Sequence, residues 1–154
     1  MFWLIAAVVF ILDQATKYWV VATLNPSQSV PIIPGVFHLT RTHNTGIAFG
    51  LMDGKGWITI PLSLIVIGGI LVYLRRAKPS RFVQAMLGLL LGGAAGNLLD
   101  RLRYGYVVDM FDLLVWPVFN VADMAITAAL AGLVLLQFVG SRHEPGESEE
   151  APSS

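Results

Sequence analysis

The sequence predicts an all-α membrane protein, a bundle of four transmembrane helices with a small sheet on one membrane surface. Three observations carry this reading. Of the 154 residues, 55% are apolar and only 13% charged, where a soluble domain has about a quarter charged. Mean hydropathy is +0.68. The apolar residues also gather into four long runs separated by polar connections, and about 20 apolar residues suffice to cross the hydrocarbon core. At this length the chain is one domain.

The first run, Phe2 to Leu24, is interrupted by Asp13, Gln14 and Lys17. It lacks the basic leader and the small-x-small cleavage site of a secretory signal, so it reads as a retained helix. Asn25-Pro26-Ser27 ends it by turn chemistry. Residues 27–56 form the first long connection. Val36, Phe37, Leu39 and Arg41 alternate with His38, Thr40 and Thr42, a partial period-2 pattern that suggests a short strand. His43-Asn44-Thr45-Gly46 reads as a turn, Ile47 to Gly50 as resumed extended chain, and Asp53-Gly54 as a second turn.

Trp57 to Leu74 is the second helix, long enough to cross at 1.5 Å per residue. Arg75, Arg76, Lys78 and Arg81 follow with no acid among them. Phe82 to Leu99 is the third helix; Gly88, Gly92 and Gly96 recur every four residues on one face and permit close helix approach. Residues 100–119 make the second long connection and 121–139 the fourth helix. The acidic Pro/Ser/Gly-containing segment 140–154 is expected to be a disordered cytoplasmic tail, beyond a single integral membrane domain over 1–139. Lys and Arg concentrate on cytoplasmic loops, which puts 75–81 and both termini inside and both long connections outside.

The composition excludes several functions. Net charge is zero, so no basic excess suggests nucleic acid. Without cysteine the chain has no disulfides, thiolate metal sites or thiol nucleophile. His38, His43 and His143 show no metal-binding spacing.

Four of the ten acidic residues fall between Gly92 and Thr127, where two apolar runs meet polar chain. Asp109 follows the extended run Tyr106-Val107-Val108, and Asp123 begins the fourth helix. If 110–119 doubles back, the two carboxylates meet at the membrane surface. Adjacent carboxylates cannot both ionise comfortably, so one holds a proton while the other acts as a base on water. Asn120 and Asp123 also read as a capping box, with Asp123 then only a cap residue. Asp112 is the rival partner for the pair, or a solvated loop acid. Asn97, Asp100 and Arg101 share a helical face and either finish the third helix or brace the aspartates. Asp13 and Lys17 form an i, i+4 pair, read as an intrahelical ion pair that masks both charges. Two other classes stay open. Ser63 and Lys17 could form a serine–lysine dyad, and intramembrane charges could serve a transporter's proton path.

Asp13-Gln14-Ala15-Thr16-Lys17, Asn44-Thr45-Gly46-Ile47-Ala48-Phe49-Gly50, Gly96-Asn97-Leu98-Leu99-Asp100-Arg101 with Gly105-Tyr106-Val107-Val108-Asp109, and Phe119-Asn120-Val121-Ala122-Asp123 together closely resemble the lipoprotein signal peptidase (signal peptidase II) family over nearly the whole chain. Met110 departs from the phenylalanine usual there, a tolerable apolar exchange. The resemblance implies a bacterial inner-membrane aspartyl endopeptidase with four transmembrane helices and a small extracytoplasmic β-cradle. It would cut prolipoproteins before a diacylglyceryl-modified cysteine, with no metal or cofactor. Asp109 and Asp123 would be the catalytic pair. Asn44, Gly46, Asn97, Asp100, Arg101 and Asn120 would line or brace the site, and Asp13 and Lys17 would be a polar pair that is structural or substrate-adjacent. The implied partners are prolipoprotein substrates and the bilayer, with the enzyme acting as a monomer.

Overall fold

A computed structural model of the chain describes residues 1–46 and 56–140. The extended stretch read over 47–50, the Asp53-Gly54 turn and the tail from 141 lie outside the described residues. Four helices and three strands follow in the order α1 (Phe2–Thr23), β1 (Ser29–Ile33), β2 (Phe37–Asn44), α2 (Thr59–Arg76), α3 (Arg81–Tyr104), β3 (Val107–Asp112) and α4 (Val121–Gly140), with a 3-10 turn at Gly56–Ile58 before α2. All four helices are long and apolar enough to span a membrane. Their outward faces carry exposed Trp3, Leu4, Ile11, Ile65 and Phe138, side chains that suit lipid rather than water.

The third helix is the centre of the bundle, half buried along its span where the others are largely exposed. Its glycine face explains why. A Cβ at Gly88 would lie 2.8 Å from the Phe2 carbonyl oxygen, one at Gly92 2.6 Å from the Ala6 carbonyl, and one at Gly96 would collide with the Asp13 carboxylate. The stripe is therefore the groove that seats α1. On the neighbouring face Gly93 lets the Ala122 carbonyl approach to 2.6 Å of where a Cβ would sit, which seats the start of α4. Close approach of this kind gains dispersion contacts that lipid cannot supply.

Helix α3 does not end at Leu99 with its apolar run. It continues to Tyr104 and stops at Gly105, left-handed at φ 78°, a conformation that glycine adopts without a steric penalty. Leaving the hydrocarbon changes the polarity of a helix, not its backbone preference, so Asp100 and Arg101 stay helical. At the other end Ser80 accepts a hydrogen bond from the Val83 amide, an ordinary N-cap.

The three strands form one antiparallel sheet in the order β1-β2-β3. β1 carries Pro31, tolerated on an edge strand beside the register shift between Pro31 and Ile33. The β1–β2 turn places Pro34 and then Gly35 (φ 74°) between Ile33 and Val36, the order that a type II turn favours. β2 runs through His43 and Asn44, so the bend read there begins only at Thr45. The sheet sits on the C-terminal end of α1, where Val108 and Met110 pack against Val20.

Candidate active site

Strand β3 has two buried faces. Val108 and Met110 enter the core against α1, while Val107 and Asp109 point the other way, into a cleft of about 660 Å³. Asp109 is only 1% exposed, and Thr42 of β2 lies opposite it in the sheet. The chain then doubles back. The amides of Met110 and Phe111 donate to the Phe119 carbonyl at 3.0 and 2.8 Å, and the Phe119 amide donates to the Phe111 carbonyl at 3.1 Å. That return delivers Asn120 and the first turn of α4 beside Asp109, so that Asp123 lines the same cleft.

Asn120 joins the two carboxylates. Its Nδ2 donates to Asp109 Oδ1 at 2.6 Å. Its Oδ1 accepts from the Asp123 amide at 2.9 Å, and its own amide donates back to Asp123 Oδ2 at 3.2 Å. This is a reciprocal capping box, and it is also the clamp that sets Asp123 relative to Asp109. The cap and the carboxylate pair are thus one arrangement rather than alternatives. Asn97 of α3 donates from Nδ2 to Asp123 Oδ1 at 2.9 Å. Asn44, at the end of β2, donates to Asp109 Oδ2 at 2.9 Å, and its own Oδ1 accepts from the Gly46 amide at 3.0 Å.

Burial, reinforced by the neighbouring Asp123 carboxylate, pushes the Asp109 carboxyl from its ordinary 3.8 up to about 7. The amides of Asn44 and Asn120 and the charge of Lys17 pull the other way and are outweighed. A carboxyl of this kind still holds its proton near neutrality. Arg101 lines the cleft and donates to the Gly46 carbonyl at 3.3 Å. Its Nε is buried without a partner among the described residues.

Behind the cleft lies a second polar layer inside the bundle. Lys17 spends its three donors on Asp13 at 2.8 Å, Asp100 at 3.0 Å and Asn97 Oδ1 at 2.8 Å. Asp13 and Lys17 are therefore not an isolated helical pair but two members of a three-helix cluster. Asp13 also accepts from the Ala122 amide at 3.0 Å, so a residue of α1 satisfies an orphan donor at the start of α4. Asp100 accepts from the Val108 amide at 3.1 Å, tying α3 to β3. Gln14, to which the sequence reading gave no role, bridges Asp13, Asp100 and the Gly96 carbonyl. An amide in the middle of an apolar run was the available signal for it.

The rivals lie elsewhere. Asp112 accepts from Thr40 at 2.9 Å and from the Leu114 amide at 2.9 Å, outside the cleft lining. Ser63 donates to the Thr59 carbonyl of its own helix at 2.9 Å, while Lys17 is fully engaged in the bundle, so the two do not form a dyad. Among the described residues no group of three or more His, Asp or Glu clusters as metal ligands.

Residues 5–139 match the family described as signal peptidase (SPase) II. The chain is 42% identical to the lipoprotein signal peptidase of Halothermothrix orenii over 135 residues, covering 88% of this chain and 93% of that one. It is 46% identical to the lipoprotein signal peptidase of Moorella thermoacetica over 136 residues, covering 88% and 89%. Its fold superposes on a bacterial membrane enzyme solved by the in meso method at 2.3 Å with a TM-score of 0.86 and 29% identity, covering 96% of this chain and 93% of that one. A second bacterial membrane enzyme, solved at 1.9 Å, matches with a TM-score of 0.78 and 32% identity, covering 87% and 90%.

Proposed function

The chain belongs to the signal peptidase II family, and from that premise we propose that Asp109 and Asp123 are its catalytic pair. It is a membrane-embedded aspartic peptidase of the lipoprotein signal peptidase family, which removes signal peptides from prolipoproteins by cutting before the diacylglyceryl-modified cysteine. The observation that carries the residue assignment is the arrangement of two carboxylates in one cleft, Asp109 buried there and both held by Asn120.

Asp123 takes a proton from water, and the oxygen of that water attacks the scissile carbonyl carbon. Asp109 gives its proton to the carbonyl oxygen. As the C–N bond breaks, Asp123 passes the water's proton to the leaving amine, and a hydroxyl of the tetrahedral diol returns a proton to Asp109, which restores the pair. Asn120, Asn97 and Asn44 fix the carboxylates, Asp100 anchors β3 to the bundle, and Asp13 and Lys17 hold α1, α3 and α4 in register. Arg101 and the Gly46 backbone line the path of an extended substrate.

Residues 1–139 act as one peptidase domain, and as a monomer, since both aspartates and every bracing group come from one chain. The basic connection 75–81 faces the cytoplasm with both termini, and the cleft opens on the outer face. Cysteines introduced at Lys55 and Lys78 report this: an impermeant thiol reagent labels position 55 and spares 78, and the reverse pattern overturns the orientation. The mechanism is tested with the purified chain and a diacylglyceryl-modified prolipoprotein. Cleavage persists in strong chelators and in Ser63→Ala, and is blocked by a peptide-like inhibitor that presents a hydroxyl between the carboxylates. Loss of cleavage on chelation, restored by a divalent metal, removes the aspartyl mechanism.

A further inference from the structure

A second cleft lies at the opposite end of the bundle from the aspartates. Its Gln84 and the Asn97 of the candidate active site are separated by about 20 Å of helix at 1.5 Å per residue. The cleft encloses about 570 Å³ between the first turn of α1, the last turn of α2 and the connection that follows it, with Phe2, Trp3, Leu71, Leu74, Arg75 and Lys78 among its lining. The floor is apolar, because Phe2, Ile70 and Leu87 form one buried cluster against which Leu74 packs. The rim is cationic, and among the described residues no carboxylate lines it. Among the described residues the ion pairs both belong to Lys17, so no described carboxylate pairs with Arg75 or Lys78. Trp3 stands exposed beside them, as indoles do at the level of lipid headgroups.

From this juxtaposition we infer that the cleft binds one anionic phospholipid of the adjoining leaflet. Its phosphate sits between Arg75 and Lys78 and an acyl chain runs along Leu71 and Leu74. Arg75 supplies a planar donor fork and Lys78 a mobile ammonium, a pairing that suits phosphate oxygens. Basic pockets between transmembrane helices take acidic headgroups on the same grounds. A zwitterionic headgroup brings its own cation to a rim that is already positive, so it is disfavoured. The bound lipid closes the seam between α1 and α2, both of which rest on α3.

The test is native mass spectrometry of the purified full chain in neutral detergent, with phosphatidylglycerol or phosphatidylcholine of the same acyl chains added. Wild type retains one phosphatidylglycerol in preference to phosphatidylcholine. The Arg75→Gln/Lys78→Gln variant loses at least about fivefold in retention, the effect of a single surface charge on lipid binding. The Arg76→Gln/Arg81→Gln variant, which removes the same charge outside the cleft, keeps it. Glycerol 3-phosphate at the same concentration does not displace the lipid. Equal loss in both double variants, or displacement by glycerol 3-phosphate, overturns the site. So does lipid binding that arises only when residues 141–154 are deleted, since the chain's own acidic segment would then be the occupant. If Arg75→Gln/Lys78→Gln lacks a cooperative thermal unfolding transition, Leu74→Trp, which fills the groove and keeps both charges, decides the matter: retention of the lipid by that variant also overturns it.

Discussion

Asn120 donates to Asp109 at 2.6 Å while its side-chain oxygen accepts from the Asp123 backbone at 2.9 Å. One buried amide thus sets both carboxylates. Asn120→Ala is expected to lower kcat by about ten- to a hundredfold, the range for a lost hydrogen bond to a charged group. It should also move the alkaline limb of the pH profile upward. Asn120 favours the ionised form of Asp109, so without it Asp109 keeps its proton to higher pH. Steady-state kinetics across pH on the purified variant check both effects.

The raised carboxyl has consequences in wild type. On the proposed mechanism activity needs the shared proton, so kcat/KM should decline as pH rises past about 7, where Asp109 releases it. Stability carries the same sign. Between 3.8 and about 7 the folded protein holds a proton that the unfolded chain has already lost, so stability falls as pH rises through that window. Asp109→Asn has no such ionisation. Its melting temperature relative to wild type should climb from pH 4 to pH 7 and then level off. A constant difference across pH would contradict the buried, raised Asp109.

Lys17 should be structurally indispensable. Lys17→Met leaves Asp13 and Asp100 buried against each other's charge, a loss of about 3–5 kcal/mol for a broken buried pair. The triple variant Asp13→Asn/Lys17→Met/Asp100→Asn should recover part of the folded yield, because the uncompensated charges are gone. Thermal unfolding in detergent measures the difference. A triple variant less stable than Lys17→Met alone would contradict the account of the cluster.

Glycine position matters more than glycine number. Gly96→Ala drives a methyl into the Asp13 carboxylate and should cost about 1–3 kcal/mol by overpacking, with activity falling as α1 is displaced. Gly68→Ala in α2 meets nothing within 4 Å and should be neutral or mildly stabilising. Parallel melting curves and cleavage rates distinguish the two.

Much of this was legible in residue spacing. The four apolar runs located the helices, the glycine stripe named the face of α3 that seats α1, and a returning 110–119 segment is what brings Asp109 to Asp123. Strand β1 was hidden by Pro31, which argues against a strand until its edge position is known. The true end of α3 was hidden because a change in polarity was read as a change in backbone, while the actual stop was Gly105. The link from Asp13 to the Ala122 amide spans 109 residues, and no local pattern encodes such a contact. Asp112 and Asp109 differ in sequence by three positions only; the sheet separates them by giving Asp112 to Thr40 and Asp109 to the cleft.

The most direct test is cleavage of a diacylglyceryl-modified prolipoprotein by Asp109→Asn, Asp123→Asn and Asp112→Asn, each purified and shown to melt cooperatively. An amide in place of either carboxylate of the proposed pair can neither serve as base nor share the proton. Asp109→Asn and Asp123→Asn should therefore leave no detectable product, while Asp112→Asn keeps most of the wild-type rate. Near wild-type cleavage by Asp109→Asn or Asp123→Asn, or a folded but inactive Asp112→Asn, would contradict the assignment.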